Sequence, residues 1–232
     1  MRSGKQKLPP VGEKHSASSF IRPLALDNFS LPEGIILEDD FFARPADEVA
    51  QDLIGKILWR RGVGGGRLTE VEAYLPYEDP ACHAYRGLTE RNWPMFGPPG
   101  RIYVYLSYGL HVLLNLVCDR EGVGAAVLIR SFEPLGSIEM LRRNRMRGAS
   151  RGSELIPAHR LTVGPGCVGQ ALDLDLGLNG LKLGHDSGIF VLDDGTRLPV
   201  RQTTRVGISK GSHLPLRFYA PDSKYVSRRP RQ

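Results

Sequence analysis

Apolar and polar positions change period several times along the chain, and each change predicts an element. Val49, Ala50, Leu53 and Ile54 recur at helical spacing between Pro45, which suits a helix start, and Gly55, which suits its end. This predicts a helix over 46–54 with one buried face. From Lys56 the pattern shortens to the two-residue period of strands. Residues 56–60 and 67–75 read as strands joined by a turn at 62–66. In the second strand Glu70, Glu72 and Tyr74 share one face, and Val71, Ala73 and Leu75 share the other. Pro76 ends it and opens a loop rich in polar, Gly and Pro residues that runs to Gly100.

Residues 101–106 and 110–118 then read as a β-hairpin around Ser107-Tyr108-Gly109. Residues 124–130 form another strand, and 134–146 a helix stopped by Gly148. A short helix near 166–172 and strands at 189–192 and 203–208 complete the pattern. Strands and helices mix without strict βαβ alternation, which predicts a single α+β domain. No apolar run approaches the roughly 18 residues of a membrane span, so no membrane partner is expected.

Charge adds a smaller point. The 232 residues carry a formal net charge of +6, which makes nucleic acid a natural but unspecific partner. The charge is uneven. Residues 1–22 hold Arg2, Lys5, Lys7, Lys14 and Arg22 against Glu13 alone, and residues 223–232 hold Lys224, Arg228, Arg229 and Arg231 with no acid. The body between them is slightly acidic. Residues 1–33 read as a basic, disordered arm and 228–232 as a basic tail. The arm lacks the apolar stretch of a secretory signal, so a cytoplasmic location is expected. Cys82, Cys118 and Cys167 are far apart, with no zinc spacing, and read as reduced, mostly buried thiols.

Several residues stand out against this background. Glu72, in an apolar strand pattern, is either a general base in a pocket or part of a solvated strand face with Glu70. Tyr74, His83, Tyr103 and Tyr105 can stack on a planar ligand or simply pack a sheet. Tyr108 sits where hairpins favour Asn, Asp or Gly, so its ring is packed back or presented outward. Asn115 and Arg130 lie in apolar runs and each need a polar partner. Glu78 and Asp79 read as loop structure.

Taken together, the motifs resemble one family. They are Thr69-Glu70-Val71-Glu72-Ala73-Tyr74, Asp79-Pro80-Ala81-Cys82-His83-Ala84, Pro99-Gly100-Arg101-Ile102-Tyr103-Val104-Tyr105-Leu106-Ser107-Tyr108-Gly109, Asn115, Val127-Leu128-Ile129-Arg130 and Arg205-Val206-Gly207. In this order they resemble the alkyladenine (3-methyladenine) DNA glycosylases of the mammalian type. The resemblance implies one compact domain over 34–227, with a curved antiparallel sheet, flanking helices and a protruding, DNA-inserting hairpin. It implies a monofunctional base-excision enzyme that flips damaged purines from duplex DNA and hydrolyses the N-glycosidic bond. The purines concerned are 3-methyladenine, 7-methylguanine, hypoxanthine and ethenoadenine. By the same resemblance Glu72 activates water, and Arg130 and the main-chain carbonyl of Val206 position it. Tyr74, His83 and Tyr105 hold the base, Asn115 rejects guanine and Tyr108 fills the gap in the stack. Cys167 and Val168 stand where relatives commonly carry Lys and Leu. The expected enzyme is a monomer without cofactor or metal, working in the cytoplasm, or at the nucleoid in a bacterium. A non-catalytic damage sensor and an enzyme of free nucleosides or RNA are the rival readings.

Overall fold

The computed structural model describes residues 30–147 and 155–227. The basic arm, apart from its last few residues, and the tail expected at 228–232 lie outside them, as does Gly148. One sheet of nine strands organises the rest, with every pairing antiparallel, and it curls on itself. The mixed α+β class read from the sequence is the class observed.

The chain enters through β1 (Ile35–Ile36), α1 (Asp39–Phe42) and α2 (Ala46–Leu53). Pro45 precedes α2, Asp47 and Glu48 occupy its first turn, and Val49, Ala50 and Leu53 are fully buried. Acids in that turn complement the helix dipole. The helix packs on β3 (Gly64–Tyr74), which β2 (Ile57–Arg60) precedes.

The turn expected at 62–66 is shorter than its glycines suggested. Gly64, Gly65 and Gly66 belong to β3 and pair with Arg60, Trp59 and Leu58. On the other edge Gly65 and Gly66 meet Leu135 and Pro134 of β6 (Ala125–Leu135). A Cβ on Gly65 would lie 1.9 Å from the Leu58 carbonyl oxygen, and one on Gly66 2.0 Å from that of Glu133. Absent side chains, rather than turn geometry, explain Gly65 and Gly66, whereas Gly64 also holds a φ of +105°. The same pairing draws residues 133–135 into β6, so the helix expected from 134 begins only at Ile138, as α3 (Ile138–Arg145).

Register slips between Leu68 and Val71, opposite Phe132 and Ile129, and marks a bulge in β3. It changes the phase of the strand, so Leu68, Val71 and Ala73 all reach the main core. Glu70, Glu72 and Tyr74 share the opposite face. There β3 also exchanges partners, leaving β2 for β9 (Arg217–Tyr219), which pairs at Glu70, Val71 and Glu72. A bulge bends and twists its strand, which suits a strand that serves two different neighbours.

The hairpin of β4 (Ile102–Ser107) and β5 (His111–Cys118) forms one edge of the sheet, with β5 also paired to β6. Helices α2, α3 and α4 (Pro165–Ala171) cover one face. Across it lies a smaller cluster: Cys82, Ala84 and Met95 from the 76–101 connection, against Tyr103, Val117 and Ala126. The chain completes the sheet with β7 (Ile189–Asp193) and β8 (Arg201–Thr203). The strand expected at 203–208 stops at Thr203, because the side chain of Arg205 and the N–H of Val206 turn inward to Asp79 and Glu72 instead of a ladder.

Candidate active site

The face that carries this smaller cluster also holds the polar residues singled out in the sequence. Glu72 is fully buried, so the alternative of a solvated strand face does not hold for it or for Glu70. Its Oε1 accepts the main-chain N–H of Val206 at 2.8 Å, and its Oε2 accepts the Tyr74 hydroxyl at 3.0 Å. Arg130 Nη1 lies 3.2 Å from Oε2. Two sequence-distant segments and a neighbour on the same strand thus converge on one carboxylate.

Glu70 is equally buried and holds the rest of Arg130. Its Oε1 accepts Arg130 Nε, Arg217 Nε and the Ser227 hydroxyl, each at 2.8 Å. Its Oε2 accepts the Ser227 N–H at 2.5 Å and the Ser131 hydroxyl at 3.2 Å. Burial pushes the Glu70 carboxyl upward, but the guanidiniums of Arg130 and Arg217 and the Ser227 hydrogen bonds outweigh it and hold it below the ordinary carboxylate value. Burial likewise disfavours the charge on Arg130, and Glu72 and Glu70 more than restore it, leaving its pKa raised.

Tyr74, whose hydroxyl bonds to Glu72, also lines a cavity of about 110 Å³, with Ala81, His83, Met95, Tyr103, Tyr105, Asn115 and Ile208. The slot opens on one side, and its lining of Tyr74, His83, Tyr103 and Tyr105 offers aromatic faces and edges to a flat ring. His83 meets Tyr105 edge-on at 4.7 Å, and its Nδ1 is 2.8 Å from the Tyr103 hydroxyl. Burial and the nearby Arg91 lower the pKa of His83, so a neutral ring faces the slot at neutral pH. Burial pushes the Tyr103 phenol up to about 12 and raises those of Tyr74 and Tyr105, which keeps all three protonated. Asn115 is buried and donates its Nδ2 to the Tyr103 carbonyl at 3.0 Å, which fixes the amide in the pocket wall.

Tyr108 is elsewhere, at the hairpin tip. Leu110 N donates to the Ser107 carbonyl at 3.0 Å, and φ is +50° at Tyr108 and +69° at Gly109. Two successive positive φ values define the type I′ turn, which suits the strand twist. Packing back is ruled out, because Tyr108 is 91% exposed. Leu106 and Leu110 are also exposed beside it.

Residue-by-residue reading missed one supporting group. Arg205 makes two hydrogen bonds to Asp79, at 2.6 and 2.5 Å, and donates to the Ala73 carbonyl at 3.0 Å. Asp79 also accepts the N–H groups of Leu75 and Ala81. The structural reading of Asp79 holds, but only the fold reveals its partner, 126 residues away. Among the described residues no cluster of His, Cys, Asp and Glu is able to hold a metal, and no helix is long and apolar enough to cross a membrane. Cys82 and Cys118 are buried and Cys167 is half-buried; burial pushes the Cys82 thiol up to about 12, which makes it a poor nucleophile.

The chain is similar to proteins from distant microbes. It is 41% identical to a provisionally named 3-methyladenine DNA glycosylase of Chlorobium phaeobacteroides, over 82% of this chain and 94% of that one. Proteins of the same provisional name from Methanoculleus marisnigri and Rhizobium meliloti are 44% and 47% identical over 82% of this chain, and over 97% and 95% of their own lengths. The model of the methylpurine-DNA glycosylase family matches residues 40–224, a stretch that holds Glu72, Arg130, the aromatic slot and the hairpin. Matched in this way over most of its length, the chain belongs to the methylpurine-DNA glycosylase family, hydrolases of N-glycosyl bonds in DNA.

Proposed function

We propose that the protein is a monofunctional glycosylase that extrudes damaged purines from duplex DNA and leaves an abasic site. The substrates in this reading are 3-methyladenine, 7-methylguanine, hypoxanthine and ethenoadenine. One observation carries it: Glu72 is buried beside an aromatic slot and held by Val206, Tyr74 and Arg130. A base within a duplex hides its glycosidic bond, so the nucleotide must leave the stack at a cost of a few kcal/mol. Damaged bases cost less to extrude. Tyr108, projecting from the hairpin, fills the gap left behind, as apolar wedges do in the minor groove.

In the slot, Tyr74, His83 and Tyr105 face the base and Glu72 accepts a proton from water. The water oxygen bonds to the sugar C1′, and the electron pair of the N-glycosidic bond leaves with the purine. A cationic alkylpurine leaves as a neutral base, whereas a neutral purine needs a proton on departure. Arg130 and the main-chain carbonyl of Val206 position the water. Asn115 narrows the slot against the exocyclic amino group of guanine. The reaction in this reading is hydrolysis without lyase chemistry. The enzyme works as a monomer in the cytoplasm, at the nucleoid if its host is a bacterium.

The test is single-turnover excision from duplexes carrying one lesion each, with the parent and Glu72→Gln. The parent should excise and Glu72→Gln should lose at least about a hundredfold, as expected for a general base. A variant as fast as the parent would remove Glu72 from the reaction. A parent that binds lesion duplexes without excising any lesion would make the protein a sensor.

A further inference from the structure

Two buried carboxylates lie against Arg130, yet hydrolysis asks for one. Glu70 is as buried as Glu72, and an ionised carboxylate in that position is costly unless fully partnered. Its five donors come from β6, β9 and the segment that ends at Ser227. What they achieve is visible in Arg130. A free guanidinium beside a lone carboxylate closes on it as a two-pronged fork. Here Nε is taken by Glu70 at 2.8 Å, Nη2 is taken by the Ser227 hydroxyl at 3.0 Å, and only Nη1 reaches Glu72, at 3.2 Å.

We propose that Glu70 and Ser227 are positioning residues that hold Arg130 to a single contact with Glu72, leaving the rest of that carboxylate open to the proton of water. The inference rests on the proposed role of Glu72. Other groups bear on the same carboxylate. Tyr74 and the Val206 N–H bond to it, Arg217 stands opposite it in β9, and Arg205 and Tyr105 lie within electrostatic reach. None of these occupies the Nε or Nη2 of Arg130. The Ser227 hydroxyl donates to Glu70 and accepts from Arg130, so the last described residue closes the network.

The measurement is the plateau rate of single-turnover excision, with lesion-duplex affinity alongside, for the full chain, Glu70→Gln, Ser227→Ala, Ser227→Thr and Glu72→Gln. Removing the carboxylate charge of Glu70 weakens its hold on Arg130 Nε, so the guanidinium can close on Glu72 as a fork. Glu70→Gln should lower the plateau about ten- to a hundredfold, with unchanged lesion-duplex affinity. Ser227→Ala leaves both charges in place. It should lower the plateau about three- to tenfold with unchanged lesion-duplex affinity, and Ser227→Thr should restore it. The Ser227 variants keep the test decisive if Glu70→Gln does not fold. A parental plateau in a folded Glu70→Gln, or a parental rate in Ser227→Ala, would overturn the proposal. Parental excision by Glu72→Gln would instead overturn the role of Glu72 itself.

Discussion

The guanidinium of Arg205 lies 4.6 Å from the centroid of the Tyr74 ring while its two terminal nitrogens grip Asp79. One side chain therefore supports a pocket wall and ties down the loop that carries Ala81 and His83. Both partners of the ion pair are fully buried. Breaking such a pair strands a charge out of water. Asp79→Asn should cost about 3–5 kcal/mol, read as a shift of the urea midpoint. Arg205→Lys keeps the charge but loses the fork and the flat stack, so it should weaken lesion binding relative to the parent. An Asp79→Asn protein within about 0.5 kcal/mol of the parent would show the pair to be dispensable.

At the hairpin tip, stability and the proposed role pull against each other. Tyr108 holds φ +50°, a region that costs non-glycine residues about 1–2 kcal/mol and that Asn tolerates better. Tyr108→Asn should therefore raise stability by about 1 kcal/mol while weakening capture of a lesion duplex. Thermal melting and a binding titration check the two halves. Equal affinity in both proteins would leave the exposed ring without its wedge role.

His83 makes the fold sensitive to mild acid. Burial and Arg91 lower its pKa below the ordinary 6.5, so below that value the unfolded chain binds a proton that the folded chain resists. Stability from the neutral ring is present above about pH 6.5 and is lost as pH falls toward the lowered folded value. The melting temperature of the parent should fall more between about pH 7.5 and about pH 5.5 than that of His83→Gln. Parallel curves for the two proteins would contradict the assignment.

The basic N-terminal residues bear on encounter with DNA. Deleting residues 1–22 removes Arg2, Lys5, Lys7, Lys14 and Arg22 with one acid. The slope of log affinity against log salt should become shallower by up to about 4, and single-turnover excision should be unchanged. A parental salt slope after deletion would place the phosphate contacts on the folded body.

Much of the site was legible because β-strands alternate and its motifs are local. Glu72 and Tyr74 share a face by spacing alone, and the structure joins them by a hydrogen bond. Tyr103 and Tyr105 do the same, with ring centroids 5.5 Å apart. The supporting residues were not legible. Asp79 and Arg205 are far apart in sequence, as are Glu70 and Ser227, and no periodicity links them. The fate of Glu70 was equally hidden, since an acidic strand face reads the same whether water or two arginines lie against it.

The sequence by itself determined the α+β class, the buried face of α2, the hairpin carrying Tyr108 and the alternation that aligns Glu72 with Tyr74. Each follows from forces that act over a few neighbouring residues. Only the tertiary structure decided that Gly64–Gly66 are strand, that the bulge near Glu70 changes the phase of β3, and that Arg205 and Val206 leave the ladder to serve Asp79 and Glu72. The reason is that buried charges and main-chain groups must be satisfied by whatever the fold brings beside them, and those partners lie more than a hundred residues away.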